Sequence, residues 1–270
     1  MNIVYRVSLL VFLFVSLEAC ASVPSRPVEM PVSDERGFVT TLNKYGWMAT
    51  VLDEISDEFV QYATENSHSY PALDIGTAYG HTPSLVIEGG GKIIANDMEP
   101  KHLEILLNKT PVSLRSRLEL NTKRFPEDMV FPDQSLSAVL ACRLFHFLDG
   151  SQLELAVKKI YRWLVPGGRV FVFANSPYRK SLGNFVENYD TNKIGARYPG
   201  IIRQLGEVNK DQANQLPPFF HYLDTEVLTR LFTEAGFKVE KAKYISLPGE
   251  SSAIYFDGRE NVGLIASKPL

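Results

Sequence analysis

The chain has few cysteines, little net charge and no arrangement of residues typical of a metal site. Its two cysteines, Cys20 and Cys142, cannot form the disulfide framework of a small secreted domain. Cys142 lies in an apolar run, so we expect it to be a core residue. A formal net charge of −3 argues against the basic surface that holds a nucleic-acid backbone. No nucleic-acid partner is therefore expected, and no His, Cys or carboxylate spacing predicts a bound metal.

The N-terminus has the layout of an export signal. Arg6 precedes an uncharged run at residues 7–17, and small residues surround Cys20. The run is shorter than the ~20 residues of a membrane-spanning helix, and A-C-A fits a signal-peptidase site. Residues 17–20 (LEAC) also resemble a bacterial lipobox, although Glu18 is charged where that pattern has a small or apolar residue. We expect residues 1–30 to be a signal peptide or membrane-anchor segment with a Pro-rich linker.

The expected localisation follows from this segment. The protein would be membrane-associated or exported, and a lipoprotein if Cys20 is modified. An uncleaved anchor and a merely buried apolar helix are the alternatives, and the last of these would leave the protein cytoplasmic.

The remaining sequence alternates between helical and strand patterns. Apolar residues at residues 35–63 recur at threes and fours, which predicts one or two amphipathic helices. Short apolar strands then alternate with amphipathic helices. The predicted strands are residues 72–75, 92–96, 118–120, 137–142 and 169–174, and the helices between them are residues 83–87, 100–108 and 152–164. Such a succession predicts a doubly wound α/β domain with a parallel sheet covered on both faces.

A long polar and aromatic stretch at residues 178–222 interrupts this alternation. Loops of this length in a compact domain are usually functional or disordered, and we expect a lid-like insertion. A helix at residues 225–235 and two β-rich segments follow. Residues 31–270 are therefore predicted to form one domain that includes the insertion.

The first predicted strand leads into a glycine turn. Asp74 is followed by Gly76 and Gly80, and such a turn lets a ligand approach the backbone at a helix N-terminus. Asp97 follows the second strand about twenty residues further on, where a carboxylate can accept hydrogen bonds from ribose hydroxyls. Met98 could pack against an adenine. Ala78 occupies the place of the second glycine of a dinucleotide fingerprint, so a phosphate-free nucleoside ligand fits better.

Four segments, in order, resemble the motifs of class I S-adenosylmethionine-dependent methyltransferases. They are residues 73–80 (LDIGTAYG), 96–100 (NDMEP), 131–139 (FPDQSLSAV) and 164–170 (LVPGGRV). The resemblance implies a Rossmann-like, seven-stranded, mostly parallel sheet with antiparallel C-terminal strands. It also implies S-adenosyl-L-methionine as cofactor, bound by the residues of the glycine turn and by Asp97 and Met98. The acidic residue that the family has after the third strand is missing here, and Asn121 or Thr122 could contact the adenine instead.

Two histidines are candidates for catalysis. His146 follows the fourth strand and His221 ends the insertion, so either could act as a general base, although both could equally be packed core residues. The aromatic residues of the insertion predict a small-molecule or lipid-like methyl acceptor. The alternatives are a methyltransferase-like protein that binds without catalysing, favoured by the altered glycine turn, and an NAD-type dehydrogenase.

Overall fold

The computed structural model describes residues 29–209 and 216–270. The predicted signal at residues 1–28, including Cys20, lies outside these ranges. The strands are β1 (Phe38–Thr40), β2 (Trp47–Ala49), β3 (Ala72–Ile75), β4 (Ile93–Asn96), β5 (Leu118–Asn121), β6 (Leu136–Cys142), β7 (Leu164–Asn175), β8 (Ile201–Ile202), β9 (Phe220–His221), β10 (Lys238–Ile245) and β11 (Asn261–Ser267). The helices are α1 (Glu54–Asn66), α2 (His81–Glu88), α3 (Pro100–Lys109), α4 (Gly150–Trp163), α5 (Asn184–Asn192), α6 (Leu205–Val208) and α7 (Thr225–Glu234).

Seven strands form the main sheet in the order β10-β11-β7-β6-β3-β4-β5. Strands β3 to β7 pair in parallel, and β11 runs antiparallel to both of its neighbours, β7 and β10. This arrangement confirms the predicted fold class. The chain moves outward from β3 to β5 and then crosses back to β6, so the strand order reverses between β3 and β6. Ligands of doubly wound sheets bind at such a reversal.

Side chains of the central strands alternate between two buried layers, as the strand period of two requires. On one face, Leu73 and Ile75 of β3 belong to the core that includes Trp163 of α4 and Phe232 of α7. On the other face, Ala72 packs in the core that α1 and α2 cover, whose members include Ile55, Phe59 and Val86. Because both faces are covered, the central parallel strands are mostly apolar.

The prediction of helix across residues 35–63 is wrong in its first half. Residues 38–49 form the antiparallel hairpin β1-β2, in which Phe38 pairs with Ala49, and α1 begins only at Glu54. The connecting turn places Lys44 and Gly46 at φ values of 59° and 85°, which no helix contains. Asp53 then caps α1 by accepting hydrogen bonds from two backbone amides of its first turn.

The insertion at residues 178–222 is folded around an aromatic cluster of its own. It contains α5, α6 and the two-stranded sheet β8-β9. The buried members of the cluster are Tyr178, Leu182, Val186, Tyr189, Ile202, Leu205, Phe220 and Tyr222. Residues 210–215 of the insertion are outside the described ranges. Among the described helices, none combines the length and apolar character needed to cross a membrane.

Candidate functional site

The glycine turn after β3 has the backbone that the sequence predicts. Gly76 and Gly80 have φ values of 74° and 73°, in the left-handed region that glycine adopts without cost. A Cβ atom at Gly76 would lie 2.9 Å from Leu144 Cδ1, and one at Gly80 would overlap the Leu106 side chain. Both positions therefore require glycine, and Gly80 also caps the N-terminus of α2.

Asp97 lies at the end of β4 with its carboxylate against this turn. Its Oδ2 accepts a hydrogen bond of 2.8 Å from the Ala78 amide, and its Oδ1 accepts one of 2.9 Å from the Glu99 amide. The side chain is buried yet lines a cavity beside the turn. Its Oδ2 retains a second acceptor position, so Asp97 can also accept a hydrogen bond from a ligand's hydroxyl group.

Asp74 is buried beneath the same turn and accepts a hydrogen bond of 2.7 Å from Thr77 Oγ1. Burial raises the pKa of Asp74 to about 7, and the nearby Asp97 adds to this rise while the Thr77 hydroxyl opposes it. A cationic group of a ligand next to Asp74 would favour the ionised carboxylate.

The first cavity has a volume of about 140 Å³ and lies above the carboxyl ends of β3, β4 and β6. Asp74, Gly76, Asp97 and Met98, which the sequence singles out for a cofactor site, all contribute to its wall. Met98 is half exposed, which suits an apolar contact with a planar ring. The hairpin β1-β2 contributes Trp47, Met48 and Ala49 to the opposite wall.

Asn121 and Thr122 are not part of the described wall, in contrast to the prediction. The Asn121 side-chain oxygen accepts hydrogen bonds from the Lys123 amide and from Asn96 Nδ2, at 2.9 and 3.2 Å. The Asn121 side chain thus stabilises the loop that follows β5, and Thr122 is exposed. Lys123 and Phe125 reach the cavity from this loop instead.

A second cavity of about 340 Å³ adjoins the first. The two share lining residues of the hairpin and of the segment after β6, among them Trp47, Arg143 and Phe147. The rest of its wall comes from the β10-β11 loop and from the end of the insertion, including Leu216 and Phe220. Its volume lies within the range of small-molecule sites.

His146 lines the second cavity. Its ring stacks on Phe220 with centroids 4.4 Å apart and meets Phe147 edge-on. Burial holds the pKa of His146 well below its ordinary value, with further lowering from Arg143 and Arg179. The imidazole is therefore neutral at neutral pH, and its Nδ1 has no hydrogen-bond partner within the described residues.

His221 is placed differently. Its Nδ1 hydrogen-bonds the Leu148 carbonyl oxygen at 3.1 Å, and burial lowers its pKa to about 4. The described walls of the two cavities do not include His221. The structure therefore brings only His146, of the two candidate histidines, to a cavity.

Sequence reasoning missed His102, which supports Asp97 from α3. The His102 Nε2 accepts a hydrogen bond of 3.1 Å from the Leu42 amide, so the proton resides on Nδ1. That Nδ1 lies 3.1 Å from Asp97 Oδ1, in a contact that lacks the geometry of a hydrogen bond. His102 thus connects the hairpin turn to Asp97. The two residues are five positions apart in sequence, a spacing that predicts no contact by itself.

The seven-stranded sheet, its antiparallel edge and the glycine turn define the fold as that of class I methyltransferases. Residues 72–168 match the family model described as a methyltransferase domain. The resemblance to S-adenosylmethionine-dependent methyltransferases that the sequence predicted is thereby confirmed.

The chain is also similar to individual proteins. An uncharacterized methyltransferase of Mycobacterium tuberculosis is 29% identical over 104 residues, which cover 38% of this chain and 39% of that protein. The chain thus spans about two fifths of this relative. A structure of a SAM-dependent methyltransferase from Methanosarcina mazei is 16% identical, with a TM-score of 0.55 over 74% of this chain and 92% of that one.

A third similar protein is a geranyl diphosphate methyltransferase, whose structure was determined in complex with GPP and sinefungin. It is 12% identical, with a TM-score of 0.57 over 78% of this chain and 76% of that one. At such identities the structural likeness concerns the fold.

Proposed function

We propose that this protein binds S-adenosylmethionine in the first cavity and transfers its methyl group to a small-molecule acceptor in the second. The observation that carries the proposal is that the two cavities adjoin at shared residues next to the glycine turn. A bound donor and acceptor would then meet at Arg143 and Phe147. The similar protein bound to GPP and to sinefungin, an analogue of S-adenosylmethionine, supports the same division between a cofactor and a small substrate.

The residues of the first cavity fit the proposed cofactor. Asp97 would accept hydrogen bonds from the ribose, and Gly76 lets the amino-acid end approach the backbone. Burial disfavours the ionised form of Asp74. The cofactor's ammonium group beside Asp74 would favour the carboxylate and pair with it. Met98 would cover the adenine.

When bound, the cofactor supplies an electrophilic methyl group. The protein's contribution is to hold the acceptor in line with that group and to exclude water. If the acceptor is a hydroxyl, it loses its proton as the new bond forms, and the neutral His146 in the wall of the second cavity can accept that proton.

Methyl transfer tests this proposal. Purified protein is incubated with radiolabelled S-adenosylmethionine and small-molecule fractions of a cell extract, and label in the acceptor is measured. We expect label with the wild type and about a hundredfold less with His146→Phe, because the variant keeps the ring stack and removes the base. His68→Phe, at an exposed position, is the matched control. No label from any fraction, despite cofactor binding, would favour the alternative of a non-catalytic binding protein.

We also propose that residues 1–30 direct the protein to a membrane or out of the cytoplasm. The basic start, the apolar run and the small residues around Cys20 support this. An exported enzyme would need a source of S-adenosylmethionine outside the cytoplasm, whereas a retained anchor could leave the domain inside. Cell fractionation with mass analysis of the mature N-terminus, comparing Cys20→Ser, distinguishes a lipoprotein, a cleaved form and an anchored form. Soluble, full-length protein in the cytoplasm would contradict the proposal.

A further inference from the structure

The second cavity combines an apolar wall with an unusual share of cationic side chains. Aromatic rings of Phe38, Trp47, Phe147 and Phe220 contribute to the wall. Three arginines line it, Arg36, Arg143 and Arg179, whereas Glu250 is the only carboxylate among its described lining residues. This excess of positive charge contrasts with the chain as a whole, whose formal net charge is −3.

Arg179 is the most buried of these arginines, with 4% of its surface exposed. Its Nη1 donates to the Glu260 carbonyl oxygen at 3.1 Å and to Asn261 Oδ1 at 3.3 Å. Its Nε has no hydrogen-bond partner in the described parts of the chain. A guanidinium remains charged in proteins, and burying it with incomplete pairing costs free energy.

Glu250 contacts Arg179 only at long range. Its Oε1 lies 3.5 Å from Arg179 Nη2, at the long end of a hydrogen bond, and its Oε2 lies 3.4 Å from Asn261 Nδ2. This carboxylate belongs to the β10-β11 loop, which forms one side of the cavity. Glu250 is thus a loosely bonded counter-ion at the position that an anionic ligand would compete for.

Arg143 adds a second fixed cation. Its guanidinium lies over the Phe173 ring, 4.6 Å from the ring centroid, and its Nη1 is 3.7 Å from Asp53 Oδ2. The backbone of Arg143 has a φ of 52°, which is costly for a residue with a side chain. That conformation ends β6 and places Arg143 in the wall that the two cavities share.

We infer that the methyl acceptor is a small organic anion, with an apolar or aromatic body and an acidic group bound at Arg179 and Arg143. The body would pack against Phe147 and Phe220, and the acidic group would provide the partner that the Arg179 guanidinium lacks. This inference rests on the proposed function, because it takes the second cavity as the acceptor site. A bound anion would also weaken the repulsion that Arg143 and Arg179 exert on a protonated His146, so binding of substrate would make this base stronger.

The test compares acids with their uncharged isosteres. A library of small aromatic and alkyl carboxylic acids and the matching primary amides is screened for binding by ligand-observed NMR, with S-adenosylhomocysteine present. We expect the acids that bind to do so at least about tenfold more tightly than their amides, the ratio typical of a hydrogen bond to a charged group. Phosphate monoesters of the same bodies form a third series, which shows whether a carboxylate or a phosphate is preferred.

Two variants locate the effect. Arg179→Gln should abolish the preference for acids, and Glu250→Gln should strengthen acid binding by about threefold or more, because it removes the competing carboxylate. The second variant is informative even if the first does not fold. Arg162→Gln is the control for Arg179→Gln, because it removes one positive charge at an exposed site on α4. It should leave the preference for acids unchanged.

Equal binding of acids and amides, binding of neither, or no effect of Glu250→Gln would overturn this inference. Titration of S-adenosylhomocysteine into the same protein tests the proposed function separately. Normal binding of that compound without any preference for acids would leave the proposed function and remove the anionic acceptor.

Discussion

Ala78 carries the backbone strain of the glycine turn. Its φ is 49°, a left-handed conformation that costs an alanine roughly 1 kcal/mol relative to glycine. Glycine also makes the unfolded chain more flexible, which offsets part of this gain. We therefore expect Ala78→Gly to raise the free energy of unfolding by about 0.5–1 kcal/mol. Chemical denaturation measures this change.

Ala63 provides the matched control for Ala78. It lies in α1 and is fully buried, so Ala63→Gly should destabilise by about 1 kcal/mol. A destabilising effect at both positions would show that the strain at Ala78 is absent in solution.

His221 makes stability depend on pH. Its pKa is about 4 in the folded protein and about 6.5 when unfolded, so the unfolded state binds the proton first as the pH falls. The stabilisation is complete above pH 6.5 and is lost between pH 6.5 and 4. At pH 5 the loss is about 2 kcal/mol. Denaturation at pH 7.5 and 5 should show this loss in the wild type relative to His221→Asn, which retains a donor for the Leu148 carbonyl.

Comparison with the variant is needed because Asp74 acts in the opposite direction. Its raised pKa of about 7 means that its contribution is present at low pH and is lost as the pH rises from about 4 to 7. Asp74 is present in the wild type and in His221→Asn, so its contribution cancels when their stability changes with pH are subtracted. His68→Asn, at an exposed position, should behave as the wild type. The same pH dependence in the wild type and His221→Asn would contradict a buried, neutral His221.

At the scale of elements, the hairpin β1-β2 forms part of the wall of the first cavity, and side chains of the glycine turn and of α3 bond to its backbone. Tyr79 donates a hydrogen bond of 2.7 Å to the Thr40 carbonyl, and His102 holds the Leu42 amide. We expect Tyr79→Phe to lower the free energy of local opening of the hairpin by about 1 kcal/mol, because one hydrogen bond is lost. Amide exchange in residues 38–49 should then be roughly fivefold faster.

Tyr62→Phe is the control, because Tyr62 also donates to a backbone carbonyl, that of Gly167, but outside the hairpin. Amide exchange in residues 38–49 of Tyr62→Phe should match that of the wild type. Unchanged exchange in Tyr79→Phe would mean that other contacts retain the hairpin.

The elements differ in how far their sequence predicts them. Strands β3, β4 and β6 were predicted because each is a short apolar run next to turn residues, and local pattern and burial agree there. The hairpin was not predicted, because Phe38, Leu42 and Trp47 have a spacing close to that of a helix. Its conformation depends on the left-handed Lys44 and Gly46 and on contacts with Tyr79 and His102, which no local pattern contains.

The residues of the two cavities also differ in how far the sequence predicts them. Asp97 could be placed at the glycine turn because parallel neighbouring strands end at one edge of a sheet. Arg143 and Arg179 could not be assigned to one cavity, since they lie 36 positions apart and come together only in the folded chain. The sequence thus singled out residues of the first cavity and none of the arginines of the second.

At the scale of the whole molecule, the reversal of strand order between β3 and β6 produces both cavities. The loops after β3 and β4 supply the first cavity with its glycine turn and carboxylates, and the segment after β6 leads into the second. The hairpin, the insertion and the β10-β11 loop enclose this edge of the sheet. Cofactor binding should therefore stabilise the whole fold, by about 2.7 kcal/mol at a hundredfold excess over Kd.

Isothermal titration of S-adenosylmethionine and S-adenosylhomocysteine measures directly whether the protein binds the cofactor. The wild type should bind both at one site, and Asp97→Ala should bind at least about tenfold more weakly, because charge-assisted hydrogen bonds to the ribose are lost. Thermal unfolding of the variant shows whether it remains folded. Unchanged affinity in a folded Asp97→Ala would remove Asp97 from the ribose site, and absence of binding of either compound to the wild type would contradict the account.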